Sequence, residues 1–257
     1  MTLKTRLTER LGITHPVLSA PMAFVGGGRL AAAVSGAGGL GLIGGGYGDA
    51  GWLEEQFRAA GNAPVGCGFI TWSLAQNPHL LDLVLEHKPA ALFLSFGDPV
   101  PFGKKIADAG TLLICQVQSM ADARAAVEAG AGIIVAQGAE AGGHGERRAT
   151  LPFVPEVADF LAGAAPDTLL CAAGGIADGR GLAAALMLGA DGVVVGSRFT
   201  AAEEALVFPG WHDALMAAHG DATVQTSLVA LAGRRTRTTP HLPRKMLRPP
   251  GTAIITA

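Results

Sequence analysis

A histidine set among glycines is the side chain in this sequence best suited to chemistry. Residues 137–145 read QGAEAGGHG, so His144 has no bulky neighbours that would fill a core around it. Imidazole titrates near neutral pH and can transfer protons, while Gly142 and Gly143 let the backbone approach a ligand closely. The alternative is a solvated loop histidine, with Glu140 either orienting the loop or simply exposed.

Two further glycine-rich turns carry a second kind of chemistry. They read AAGGIADG at residues 172–179 and VGSRF at 195–199, and each follows an apolar strand-like run. In barrels, the loops after the seventh and eighth strands commonly bind phosphate with helix N-terminal amides. Glycine-rich turns without phosphate also exist, but the two turns together predict a phosphate site. Its expected residues are Gly174, Gly175, Gly196 and Ser197.

The elements that must position these loops alternate along the whole chain. Short, apolar, strand-like runs lie at residues 16–22, 40–45, 64–70, 91–97, 112–117, 132–137, 169–174 and 192–196. Alanine-rich helical runs follow at residues 29–35, 51–60, 78–87, 101–109, 119–129, 152–162, 179–188 and 206–218. Eight such repeats predict an α/β protein with a (β/α)8 TIM barrel, and a doubly wound open sheet is the alternative. We expect one domain over residues 1–257, with an irregular C-terminal segment from about 228.

Composition excludes several other classes of protein. The formal net charge is -2, and no long Lys/Arg block is present, so nucleic acid is not an expected partner. Residues 16–46 are nearly uncharged but broken by glycine and proline, so no membrane span is predicted. Neither a Cys/His cluster nor a G-x-S-x-G elbow is present, so no metal site or hydrolase is expected. Three cysteines in apolar runs, Cys67, Cys115 and Cys171, predict buried thiols in a cytoplasmic enzyme.

A phosphate site beside a histidine at one barrel mouth suggests a phosphorylated cofactor or substrate. Flavin mononucleotide (FMN) fits, because it has one phosphate and an apolar ring that could lie across residues 20–22 and Gln116. A sugar-phosphate enzyme would present a similar phosphate site. A flavin-free phosphate-binding barrel therefore remains an alternative.

At these same residues the sequence resembles the nitronate monooxygenase family, formerly called 2-nitropropane dioxygenases. The resemblance covers nearly the whole chain in the same order, and its most specific part is the Glu-Ala-Gly-Gly-His run. The matching segments are PVLSAPM at 16–22, AQGAEAGGH at 136–144, AGGIADG at 173–179, GVVVGSRF at 192–199 and AAEE at 201–204.

This resemblance implies an FMN-binding TIM barrel that oxidises nitronates or nitroalkanes with dioxygen to a carbonyl compound and nitrite. His144 would be the catalytic base, or would position an anionic substrate. The residues implied to bind the cofactor fall into three groups. Ala20, Pro21 and Met22 would line the ring, Gln116 and Gln137 would border it, and Gly174, Gly175, Gly196 and Ser197 would hold the phosphate. We include Gly142 and Gly143 of the histidine loop as cofactor-binding residues.

The chain departs from the family pattern at Gly68, where many members have asparagine. A hydrogen bond to flavin or substrate is therefore expected to be missing there. The chain is also short for the family, which leaves little room for a cap over the mouth. Flavin-dependent enoyl-acyl carrier protein reductases share the barrel and the histidine loop, so NAD(P)H-dependent reduction of an enoyl thioester is the alternative function. The oligomeric state stays open.

Overall fold

The alternating pattern builds a barrel of eight parallel strands in the computed structural model, which describes residues 3–226 and 244–247. The barrel strands are β1 (Val17–Ser19), β2 (Gly41–Gly46), β3 (Val65–Ile70), β4 (Ala91–Ser95), β5 (Leu112–Val117), β6 (Ile133–Gln137), β8 (Leu169–Ala173) and β9 (Gly192–Val195). Their order is β1-β9-β8-β6-β5-β4-β3-β2, and a parallel bridge from Leu18 to Leu40 joins the two ends. The predicted TIM barrel is confirmed, and the open sheet is excluded.

Helices follow the strands in the predicted order. They are α1 (Arg6–Leu11), α2 (Gly28–Gly36), α3 (Ala50–Ala60), α4 (Thr71–Leu74), α5 (His79–Glu86), α6 (Val100–Asp108), α7 (Met120–Glu128), α8 (Thr150–Ala164), α9 (Gly179–Met187) and α10 (Pro209–Ala217). A capping box begins α7, since Asp122 N–H donates to Ser119 Oγ at 3.1 Å and Ser119 N–H donates to Asp122 Oδ2 at 3.0 Å. Sequence reasoning missed α1 and α4, which are too short to show a helical period.

The core divides into two layers because successive side chains of a strand point to opposite faces. In β5, Ile114 belongs to the cluster inside the barrel, whereas Leu113 and Cys115 belong to the cluster under the helices. All three cysteines are free and buried, as predicted. The same alternation directs Gln116 to the inside of the barrel, at its carboxyl-terminal end.

Helix α1 closes the opposite end of the barrel. Leu7 is fully buried in the inner cluster together with Leu18. Arg6 donates through Nε and Nη2 to the two carboxylate oxygens of Asp191, each at 2.8 Å, and Asp191 also accepts from Leu170 N–H at 2.9 Å. This ion pair joins α1 to β8 and β9. Because α1 closes this end of the barrel, we expect the functional site at the opposite end.

A small antiparallel sheet lies outside the barrel, with β11 (Arg244–Leu247) between β10 (Thr223–Thr226) and β7 (Gly143–His144). The rest of the segment predicted to be irregular lies outside the described residues, so that expectation stays a prediction. Across the described part of the chain, no helix has the length and apolar character needed to cross a bilayer.

Candidate active site

The chain that leaves β1 crosses the mouth of the barrel. A Cβ atom on Gly44 would lie 2.3 Å from the carbonyl oxygen of Met22, and one on Gly68 would lie 2.4 Å from Cβ and Cγ of Pro21. The absence of side chains at the ends of β2 and β3 therefore lets Pro21 and Met22 pack directly onto these strands. Pro21 therefore lies inward, over the mouth of the barrel.

The segment after β1 also meets the loop after β9. A Cβ on Gly196 would lie 3.3 Å from Ala20 Cβ and 3.7 Å from Met22 Sδ. Ala20 N–H donates to the Val195 carbonyl at 2.8 Å. Ala20 and Met22 thus lie beside one of the two predicted phosphate loops.

The histidine loop is fixed through its backbone. The carbonyl of His144 accepts from Gln137 Nε2 at 2.7 Å and from Gln118 Nε2 at 3.3 Å. The imidazole ring packs against Phe96, with 5.3 Å between ring centroids and an interplanar angle of 57°. Since Gln118 follows β5 and Gln137 ends β6, these contacts hold His144 over the mouth and leave its side chain half-buried.

Glu140 anchors the start of the same loop, so the open choice between an orienting and an exposed carboxylate is settled. Its Oε2 accepts from Thr150 N–H at 2.9 Å and lies 2.8 Å from Thr150 Oγ1, which also lies 3.1 Å from the Gly174 carbonyl oxygen. Ala149, the residue before α8, provides no side-chain cap. Glu140 therefore caps the start of α8, and through Thr150 it ties the histidine loop to the end of β8.

The histidine loop and the two predicted phosphate loops pack together. A Cβ on Gly142 would lie 2.4 Å from Ser197 Oγ, and one on Gly175 would lie 3.3 Å from Glu140 Cβ. Gly174 and Gly175 have φ values of 112° and 72°, which side chains rarely allow. The glycines are needed both for this backbone conformation and for the close approach of the loops.

Two amides in the first turn of α9 are already bonded to the side chain of Asp178, the residue before the helix. Asp178 Oδ1 accepts from Arg180 N–H at 3.0 Å and from Gly181 N–H at 3.2 Å. The hydrogen bond from the Arg180 side chain lowers the pKa of the Asp178 carboxyl, which favours its charged form. An anion at this mouth would therefore have to be held by the glycine backbone and Ser197, because the carboxylate occupies the helix terminus.

Two buried polar groups that lie near strand ends, Thr71 Oγ1 and Gln116 Nε2, have no hydrogen-bond partner among the described residues. Gln116 Nε2 is enclosed yet donates to no acceptor within residues 3–226 and 244–247, whereas the neighbouring Gln137 bonds to His144. A buried amide left without a hydrogen bond is costly. A cofactor or substrate oxygen reaching Gln116 would satisfy it.

The predicted site residues all lie at the carboxyl-terminal end of the barrel, where the structure brings them together. Sequence reasoning missed the contributions of Gln118 and Thr150. Gln118 follows β5 by one residue, so its place after a predicted strand was an available signal. Thr150 gave no such signal, because its contacts depend on the path of a loop.

Comparison with known proteins identifies the family to which this barrel belongs. The family model described as nitronate monooxygenase matches residues 4–67 and 69–246. The chain belongs to the nitronate monooxygenase family. The match stops and resumes on either side of Gly68, the position at which the sequence departs from the family pattern.

Two relatives and one solved structure show how the family varies. Nitronate monooxygenase npaC of Metarhizium robertsii is 37% identical over 243 residues, covering 82% of this chain and 66% of the relative. A 5-hydroxy-7a-methyl-1-oxo-octahydro-1H-indene-4-carboxyl-CoA dehydrogenase of Rhodococcus jostii is 34% identical over 209 residues, covering 80% and 58%. The structure of FabK from Thermotoga maritima superposes with a TM-score of 0.83 at 35% identity, covering 97% of this chain and 76% of FabK. The chain thus spans less than two thirds of the length of either relative.

Proposed function

We propose that this protein is a flavin-dependent oxidoreductase that binds FMN and oxidises alkyl nitronates with dioxygen to a carbonyl compound and nitrite. Membership of the nitronate monooxygenase family supports the proposal. The observation that carries it is the fixed position of His144 over the mouth, beside the glycine loops and Ser197.

His144 would handle the proton of the substrate. Its carbonyl is held by two glutamine amides and its ring packs on Phe96, so the imidazole is oriented by the loop. A neutral nitroalkane must lose a proton from carbon, which imidazole can accept near neutral pH. A nitronate has already lost that proton, and His144 would then stabilise its negative charge.

The described residues fit FMN. Ala20, Pro21 and Met22 offer an apolar surface for the ring, and Gln116 Nε2 offers a hydrogen-bond donor that no described residue accepts from. Backbone amides at the glycine loops and the Ser197 hydroxyl would hold the phosphate. When bound, FMN would supply the electron-accepting ring that neither histidine nor glutamine can provide.

The test begins with the absorbance spectrum of the freshly purified protein, which should show bound flavin released as FMN. Oxygen consumption and nitrite formation are then measured with propionate 3-nitronate and with nitroalkanes. A colourless protein without affinity for FMN would instead favour the flavin-free phosphate-binding barrel. A flavin-loaded protein that makes no nitrite and consumes no oxygen would exclude the nitronate reaction.

Replacing His144 separates its two possible roles. We expect His144→Ala to lower kcat/KM for neutral nitroalkanes by about 100-fold or more, and to lower it less for preformed nitronates. His79→Ala, at an exposed histidine on α5, is the matched control and should retain both activities. If His144→Ala retained both activities equally, the base role would be refuted.

A second candidate is NAD(P)H-dependent reduction of an enoyl thioester. The dehydrogenases of R. jostii and Mycobacterium tuberculosis, 34% and 33% identical to this chain, are named for a carboxyl-CoA compound, which is a thioester. Rapid bleaching of bound flavin by NADH, with reoxidation by an enoyl thioester, would favour this reaction over the first.

The three unpaired, buried thiols support the further proposal of a reducing, cytoplasmic location.

A further inference from the structure

Aromatic side chains gather on one side of the mouth. Aromatic residues make up 5% of the chain, yet five of them lie at this edge, and four of these follow successive strands. Phe24 follows β1, Tyr47 follows β2, Trp72 follows β3, Phe96 follows β4, and Trp52 lies in the first turn of α3. We call these five residues the aromatic rim.

The aromatic rim is connected from end to end. Ring centroids are 6.0 Å apart between Phe24 and both Tyr47 and Trp52, and 5.9 Å apart between Tyr47 and Trp72. Trp72 is joined to Phe96 through the backbone, since the Trp72 amide N–H donates to the Phe96 carbonyl at 3.4 Å. The rim therefore forms one wall along the ends of four neighbouring strands.

Two residues of the rim have backbone conformations that are unfavourable for a side chain. Phe24 and Phe96 have φ values of 62° and 61°, in the left-handed region. Burial does not explain Phe24, whose side chain is 53% exposed. Such strain persists at sites where the side chain has a function outside the core.

The rim reaches the reactive histidine. Phe96 packs against the imidazole of His144 with 5.3 Å between centroids, so a substrate group attached to the reacting carbon would extend toward Trp72 and Phe24. The five rim side chains carry no charge. The group that suits them is neutral, apolar and flat, because aromatic faces favour offset or edge contacts with another ring.

We propose that the aromatic rim binds a hydrocarbon ring of the substrate, so the protein prefers ring-bearing nitronates to short alkyl nitronates. This inference rests on the proposed nitronate reaction and defines its substrate class. Burying one phenyl group against the rim should raise kcat/KM by about 10- to 50-fold.

The test compares two nitronates that have the same reacting carbon. The preformed nitronates of 2-phenyl-1-nitroethane and 1-nitropropane are assayed by nitrite release, and the phenyl compound should have the higher kcat/KM. Phe24→Gly and Trp72→Ala should each lower the ratio of the two kcat/KM values by about 5-fold or more. Glycine is chosen at Phe24 because it suits the left-handed backbone. Phe160→Ala, at an aromatic residue packed against Arg124 on the outside of the barrel, should leave the ratio unchanged.

The experiment distinguishes failure of the rim proposal from failure of the proposed nitronate reaction. Equal kcat/KM values for the two nitronates, with nitrite formed from both, would overturn the rim proposal and leave the reaction intact. If neither nitronate gave nitrite, the proposed nitronate reaction would be wrong. Ring binding is then measured by tryptophan fluorescence in the Trp211→Phe variant, in which Trp52 and Trp72 are the remaining tryptophans. Titration with 3-phenylpropionate should quench Trp52 and Trp72 at lower concentration than butyrate does, and Phe24→Gly should remove the difference. Equal quenching by both acids would overturn ring binding itself.

Discussion

A Cβ atom at Gly68 would lie 2.4 Å from both Cβ and Cγ of Pro21 and 3.2 Å from Phe93 Cβ. No side chain fits there unless the segment after β1 moves. The Pro21 ring therefore occupies the space in which a larger residue at position 68 would begin. Apolar contact between β3 and Pro21 is found at this position, and the missing hydrogen bond to flavin or substrate stays a prediction.

Gly68→Ala should test this contact. Overpacking should lower the free energy of unfolding by about 1–3 kcal/mol, measured by urea denaturation, and should weaken FMN binding by displacing Pro21. Gly163→Ala is the matched control, since a Cβ at this helical glycine meets nothing within 4 Å. The control should be neutral or stabilising by about 0.5–1 kcal/mol. Similar stability of the two variants would contradict the close packing at Gly68.

Among single residues, those with an unusual local sequence were the predictable ones. His144 could be placed because glycines surround it and a strand precedes it, and Ser197 because it follows Gly196. Glu140 could not be placed, because its partner Thr150 lies across a loop whose path no period of the sequence encodes. The aromatic rim gave a signal in the sequence, since Phe24, Tyr47 and Trp72 each come two residues after a predicted strand, although Phe96 lies within one.

Thr150 joins three elements of the fold. It begins α8, bonds to Glu140 after β6 and lies 3.1 Å from the Gly174 carbonyl oxygen after β8. Thr150→Val removes the hydroxyl from this junction, whereas Thr150→Ser retains it. We expect the valine variant to lose about 1–2 kcal/mol of unfolding free energy and the serine variant to stay within about 0.5 kcal/mol of the parent.

FMN affinity should follow the same order, because the junction positions both the histidine loop and Gly174. The affinity is measured by fluorescence titration of the flavin-free protein with FMN. If serine and valine weakened binding to the same extent, the hydroxyl would have no part in shaping the mouth.

Element prediction succeeded where burial leaves a continuous apolar run. All eight barrel strands were found, because a parallel sheet covered on both faces has such strands. The strands β7, β10 and β11 were missed. Strand β7 has two residues, and its pairing depends on β11, far away in the chain. Local pattern cannot reveal an element that exists only through a distant partner.

For the whole molecule, the buried thiols predict a response to alkali. Burial raises the pKa of Cys67 and of Cys115 to about 12, and it also raises the pKa of Cys171. In the unfolded chain a thiol titrates near pH 8.5. The folded state therefore keeps protons that the unfolded state loses, so the stabilisation is complete below about pH 8.5 and declines as pH rises toward 12.

The measurement is urea denaturation at pH 7.5 and pH 9.5. Each thiol contributes at most about 1.4 kcal/mol of lost stability per pH unit in this window. Cys67→Ala should lower stability at both values but show a shallower decline between them. A decline as steep as that of the parent would mean that Cys67 does not cause it.

The pairing of β7 with β11 also sets an order of events during synthesis. The last barrel strand ends at Val195, so a nascent chain could close the barrel while later residues are still being made. His144 acquires its backbone partner only when Arg244 has left the ribosome. The reactive loop would therefore reach its final arrangement after the barrel, once β11 has been made and can pair with β7.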